Sequence, residues 1–437
     1  MQNKVIQADY LLLESGLKEK WGVQVQDNRI VKVAPNEQLQ QIKEAEQIYL
    51  HNQILLPGFV NGHNHMYGFY SHGISADAVV TEFSSFLEDF WWPYVENRLD
   101  HRYIQAATRW ACIEMIESGV TSFVDILEAP NAIPGGLDAE KEVVQASGLR
   151  GKLTFEACER ISKENANAGL MENDRLVREN KGEHHLVQGI NSIHTLFTGS
   201  DEFIKKAKRM ADENGAPIHM HLSESCYEGD WCREHYQQTP VERYEQLGYL
   251  DRNVLASQVV QVSDKELDIL AKHQVSVVSM PISNCEVGGG FAPVSKMLDR
   301  NMTVGLGTDG YVNNFFEVMR AAFLIHKANQ RDPQVMPAKT VYQMATSMGA
   351  RAIGLEDAGS IREGNLADLI SVDILLPTPI NEKNIYDQLI LFCNPQNVVN
   401  VMVDGQWLKR DGVLTTMDKE KARQELRQAT EEFWKFQ

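Results

Sequence analysis

The sequence predicts an α/β fold: a (β/α)8 (TIM) barrel inserted into a small β-sandwich built from both chain ends. Three observations predict it. Eight short apolar segments alternate with amphipathic helical patterns through the middle of the chain. Bursts of polar–apolar alternation separated by turn signals occupy the two ends. Histidines and carboxylates sit where several of the middle segments stop, the ends at which such barrels place their chemistry.

Residues 1–56 read as a β-meander. VQVQ at 23–26 and RIVKV at 29–33 flank the turn signal Asp27-Asn28, and IYLHNQILLPG ends in Pro57-Gly58. The barrel is expected over residues 57–359. Its strands are placed at 58–65, 120–126, 149–157, 186–194, 216–221, 253–260, 275–280 and 302–309. Ser263 followed by Glu266 opens a helix as a capping box. Gly119 and Gly215 stop the helices before strands two and five. Residues 360–437 return to the end pattern: LADLISVD at 366–373, then VVNVMVDGQWLKRDG at 398–412 with turns at Asp404-Gly405 and Asp411-Gly412. Strands from the two ends are expected to pair in one domain, followed by a closing helix from about Lys419 to Phe436. A doubly wound open sheet is the alternative arrangement of such strand–helix units.

The chain has 437 residues, 42 Lys plus Arg against 60 Asp plus Glu, and a formal charge of −18. With 43% apolar and 23% charged residues this is ordinary globular composition. The acidic balance speaks against nucleic acid as a partner. The six cysteines are scattered without a C-x-x-C pair and read as reduced thiols. No secretory signal pattern and no run of 18 apolar residues is present, so a cytoplasmic protein without a membrane partner is expected.

His63-Asn64-His65 closes strand one, and residues two apart on a strand face the same way. Alone, such a pair is as well explained by two satisfied surface histidines. His219-Met220-His221 closes strand five, with Glu224 one step into the following loop. His219 lies deeper and reads equally as a core histidine holding a hydrogen bond. Asp309 closes strand eight in VGLGTDG, where a plain turn residue is the rival reading. Strands one and eight are neighbours in a closed barrel, so His63, His65 and Asp309 converge, with His221 joining from strand five. Three imidazoles and a carboxylate suit Zn²⁺, or Fe²⁺ or Mn²⁺. Such an ion turns its water into hydroxide near neutral pH. Asp309 is then both ligand and proton acceptor, Glu224 a proton carrier to the leaving group, and His194, ending strand four, a substrate contact.

At these residues the sequence resembles the amidohydrolase superfamily, in its branch of cytosine/guanine-deaminase-like and triazine-hydrolase-like enzymes. PGFVNGHNH, IHMHLSES, SMPISNCEVGGGFAPV and GLGTDGYVNN look like that branch's successive motifs, and the likeness covers nearly the whole chain. Phe90-Trp91-Trp92 and the overall pattern look closest to its SsnA group of aminohydrolases. The resemblance implies a metal-dependent hydrolase. One divalent ion, usually zinc, is held by His63, His65, His221 and Asp309, with Glu224 as acid/base and His194 on the substrate. It implies hydrolytic loss of ammonia from a small nitrogen heterocycle, and a homodimer. Expulsion of chloride or alkylamine from a triazine is the alternative within the branch.

The sequence departs from the branch at strand six, which usually carries a histidine. Here LASQVVQVSD puts Gln258 in that place, expected to contact substrate, and Gln261 where a second histidine is common. Glutamine cannot take up a proton near pH 7. The departure therefore also fits a metal-binding barrel that has lost catalysis. Strand two ends Asp125-Ile126 where many members have Asp-His. Trp91, Trp92 and Tyr94 are placed between strand one and the first long helix, as a lid or as plain packing. His72 reads as surface or mouth. His184-His185 read as an unimportant loop. CYEGDWCREHY at 226–236 reads as a loop whose Glu228, Trp231 and Arg233 offer substrate contacts.

Overall fold

The computed structural model describes residues 3–73, 78–182 and 185–435. Its central sheet is a closed ring of parallel strands. In chain order these are Phe59–Asn64, Val120–Leu127, Arg150–Phe155, a broken fourth made of Val187–Gly189 and Asn191–Ser192, Ile218–Leu222, Val254–Gln258, Ser276–Ser279 and Val304–Leu306. They are called barrel strands one to eight below. Strand eight pairs with strand one at Leu306 and Asn61. The fourth strand completes the ring, its first half on strand three and its second on strand five. Every strand falls on a segment marked by its apolar run. Strands one, two, three and five are buried along their whole length. Helices cover their outer face, so they read as continuous runs and not as alternation.

The helix ends also follow the sequence. Ser263 accepts from the Glu266 amide in a complete capping box, and Gly119 and Gly215 take positive φ of 85° and 75° where the preceding helices stop. The closing helix spans Lys419–Phe433, and residue 436 lies outside the described residues. Phe433 stacks on Tyr70 at 4.5 Å.

The two chain ends form a second, mostly antiparallel sheet. Glu46–Pro57 lies between Asn3–Leu13, which it pairs in parallel, and Leu369–Asp373, which it pairs antiparallel. Ile6, Val23, Leu55, Leu369 and Met402, from both ends, share one apolar cluster there. Arg150, opening strand three, clamps this sheet to the barrel. It donates to both oxygens of Asp368 at 2.8 and 3.2 Å and to Asp404 at 3.1 Å. Glu46–Pro57 runs through Gly58 into strand one. A Cβ on Gly58 would lie 2.0 Å from Thr121 Oγ1, so only glycine permits this junction. No described helix is long and apolar enough to cross a membrane, and all six cysteines are free.

Candidate active site

The strand tips build a histidine cluster. His65 Nδ1 lies 2.7 Å from the Ile126 carbonyl, which only accepts. Nδ1 therefore donates to that carbonyl, which leaves Nε2 facing the cluster. His219 Nδ1 lies 3.0 Å from Ser192 Oγ and its Nε2 3.2 Å from His63 Nδ1. The remaining nitrogen of His63 is Nε2. That atom is fully buried and has no hydrogen-bond partner. His221 Nδ1 lies 2.7 Å from Glu156 Oε1, an ion-pair distance without hydrogen-bond geometry. One donor atom from each of His63, His65 and His221 lies within 4.8 Å of the others. Burial pulls the imidazoles of His63 and His221 below their ordinary value, with neighbouring rings adding to the effect at His63. Both rings are thus neutral, the form that binds a metal.

Asp309 is the candidate fourth donor. Its Oδ1 lies 3.6 Å from His65 Nε2 and its Oδ2 4.0 Å from His63 Nε2. A tetrahedral centre with bonds of roughly 2.1 Å sets its donors about 3.4 Å apart, close to the two Asp309 separations. Three imidazoles, one carboxylate and an orphaned buried nitrogen together fit a divalent cation of the zinc class. The backbone holds the set together: the amides of Thr308 and Asp309 both donate to the His63 carbonyl, at 3.0 and 3.1 Å. Asp309 sits at φ +59°, and Gln258 and Val259 at the tip of strand six have φ of +74° and +50°. Left-handed non-glycine residues of this kind cluster at functional sites.

The cavity above the cluster holds about 340 Å³, at the small end for ligand sites. His65, His194, His221, Glu224 and Asp309 all line it. His194 Nδ1 is occupied by the hydroxyls of Thr195 and Thr198, at 3.2 and 3.3 Å, which leaves Nε2 for a ligand. Burial, then the charges of Asp309 and Glu156, push the Glu224 carboxyl well above its ordinary value.

Gln258 stands elsewhere than expected. It is fully buried, is absent from the cavity wall, and its Nε2 donates to Asp309 Oδ2 at 2.6 Å. Ser283 Oγ donates to the same oxygen at 3.0 Å and the Gly310 amide to Oδ1 at 2.7 Å. The chain thus uses the strand-six position to orient Asp309. Gln261 bonds the Gly289 carbonyl.

The remaining sequence candidates sort by burial. Residues 86–95 form a continuous π-helical turn that puts Phe86, Phe90 and Trp91 on the cavity. Trp92 lies edge-on to His194 at 6.1 Å, and Tyr94 stacks on Trp434. His72 lines the mouth and bonds the Gly310 carbonyl at 2.7 Å. Residues 226–236 are a helix and not a loop, and none of the three residues expected to touch substrate lines the cavity. Glu228 is buried and accepts from the amides of Leu196 and Ser223. Trp231 stacks on His235, and Arg233 pairs with Asp230. His184 lies outside the described residues.

Sequence reasoning missed a group of buried carboxylates. Glu96 and Glu156 line the cavity, and Glu128 lies behind them. Arg160 donates to Glu128, to Glu96 at 3.0 Å and to Asn97 at 2.8 Å. Its guanidinium lies under Trp92 at 5.1 Å. The available signal was position: Glu128 and Glu156 each directly follow a barrel strand.

The amidohydrolase family model matches residues 54–408. The chain belongs to the amidohydrolase family. A 5'-deoxyadenosine deaminase of Methanosarcina acetivorans is 32% identical over 99% of this chain and 98% of its own. A 5-methylthioadenosine/S-adenosylhomocysteine deaminase of Thermococcus onnurineus is 33% identical over 90% of this chain and 90% of its own. A zinc-bound adenosine deaminase of Xanthomonas campestris superposes with a TM-score of 0.89, covering 99% of this chain and 98% of that one. At 24% identity that likeness speaks to the fold alone. The protein is a hydrolase of carbon–nitrogen bonds, and the expected class, an aminohydrolase of a nitrogen heterocycle, agrees with these relatives.

Proposed function

We propose that this amidohydrolase is a zinc-dependent deaminase of an adenine-type nucleoside. The observation that carries the reading is the convergence of ring nitrogens from His63, His65 and His221 with Asp309 beneath a cavity lined by Glu224 and His194. When bound, the ion supplies a water whose pKa falls to about 7. His194, neutral because burial pulls it well below its ordinary value, hydrogen-bonds a ring nitrogen through Nε2 and orients the heterocycle. The water oxygen adds to the amino-bearing ring carbon, and the carbon–nitrogen bond breaks. Asp309 accepts the proton that the water loses. Glu224, held protonated by its surroundings, gives its proton to the departing nitrogen, which leaves as ammonia. The aromatic residues Phe86, Phe90 and Trp91 offer apolar faces to a planar base. The relatives named as deoxyadenosine and methylthioadenosine deaminases support the adenine base.

The test is an ammonia-release screen of the zinc-loaded protein over adenine nucleosides, pterins, pyrimidines and triazines. Turnover confined to adenine nucleosides is expected. Release of chloride or alkylamine from triazines alone would replace this reading with a triazine hydrolase. Silence throughout with zinc bound would favour a barrel without catalysis.

A further inference from the structure

The charge of the cavity wall is one-sided. Glu96, Glu156, Glu224, Glu286 and Asp309 line it, and among the described residues no lysine or arginine does. Arg160, which bonds the wall residue Glu96, is also held by Glu128 and covered by Trp92. Glu224 is protonated in the mechanism above, Glu96 is paired with Arg160 and Asp309 faces the histidines, so the unpaired acid at the mouth is Glu286. Glu286 is distinctive among them. It ends the short helix Pro281–Glu286 after strand seven and is exposed toward the mouth. No lysine or arginine among the described residues pairs with it. On the other side the wall is apolar: Phe83, Phe86, Phe90, Trp91 and Tyr311.

We infer that this pocket takes a planar heterocycle whose substituent is neutral or cationic and turns away analogues ending in phosphate or carboxylate, with Glu286 as the discriminating residue at the mouth. The inference deepens the nucleoside reading above and rests on it. The physical basis is direct. An anionic tail entering this cavity meets no described lysine or arginine and passes Glu286 at the mouth. A neutral tail carries no such penalty beside the aromatic wall. An ammonium gains Glu286 as a partner.

The experiment compares four ligands that share the adenine nucleoside and differ at the 5' position: 5'-deoxyadenosine, 5'-amino-5'-deoxyadenosine, adenosine 5'-monophosphate and adenosine-5'-carboxylate. Ammonia release by the full zinc-loaded chain gives kcat/KM for each, and competition against the best substrate gives affinity. The neutral and amino compounds are expected to exceed the phosphate and carboxylate by at least 100-fold, with the gap narrowing as salt is raised. Glu286→Gln is expected to narrow the neutral-to-phosphate ratio at least fivefold, and Glu286→Lys further. Equal handling of neutral and phosphorylated compounds overturns the charge selection while leaving the deaminase standing. A ratio unmoved by Glu286→Lys overturns the assignment of Glu286. Failure of all four to bind or react overturns the nucleoside reading, and this inference with it.

Discussion

Gln258→Leu separates a positioning role at Asp309 from a role on substrate. The leucine keeps similar bulk but removes the donor that reaches Asp309 Oδ2 at 2.6 Å. A hydrogen bond to a charged group contributes about 1.5–3 kcal/mol. Asp309 keeps two donors, Ser283 Oγ at 3.0 Å and the Gly310 amide at 2.7 Å, so the carboxylate loosens without being lost. Groups that orient a metal ligand are typically worth 10–100-fold in metal affinity, or about 1.4–2.7 kcal/mol. Zinc affinity, measured by competition with a chromophoric chelator, should therefore fall by about 10–100-fold. Gln258→His, which can offer an N–H to the same oxygen, should recover most of it. Zinc affinity unchanged within about twofold in Gln258→Leu would refute the reasoning, because Asp309 would then need no help from strand six.

Further outcomes follow from buried charge and close packing. Lys152 on strand three is buried, and burial, aided by Arg150, pulls its ammonium down to about 8. The unfolded chain therefore holds the extra proton between about pH 8 and 10.5, so stability should rise with pH across that window by up to about 3 kcal/mol. Denaturant midpoints at pH 8 and 10 should show the rise in the wild type and its loss in Lys152→Met. Arg160→Leu leaves Glu96 and Glu128 buried without their cation and should cost about 3–5 kcal/mol in denaturant unfolding. Adding Glu128→Gln should return part of that loss. A Cβ on Gly307 would lie 2.8 Å from the His63 carbonyl oxygen and 3.0 Å from its Cβ. Gly307→Ala should therefore weaken zinc binding and cost about 1–3 kcal/mol of stability.

The barrel and the clustering of His63, His65 and His221 were legible because both rest on short-range rules. Apolar runs of strand length mark the eight strands, and H-x-H, H-x-x-E and T-D-G stand at their tips. The role of Gln258 was not legible. Whether its amide meets the cavity or Asp309 depends on a left-handed turn at residues 258 and 259, which glutamine and valine do not announce. His219 carries the same residue type as the ligands beside it. Its place between Ser192 and His63, at 3.0 and 3.2 Å, appears only in the folded structure. Residues 226–236 read as a loop, yet Ser225 caps them into a helix by accepting from the Tyr227 amide, and Glu228 turns inward to the backbone. The carboxylates at 96, 128 and 156 belong to segments distant in sequence. Their meeting around Arg160 is a product of closure, which no local pattern encodes.

Titrating metal-free protein with Zn²⁺ while recording ammonia release from 5'-deoxyadenosine tests the account most directly. Activity should rise linearly and break at one equivalent of zinc per chain. Glu224→Gln should bind the same equivalent without turnover, and His63→Ala should lose both. Full activity in the metal-free protein, or a zinc-saturated wild type that releases no ammonia from any adenine nucleoside, would contradict it.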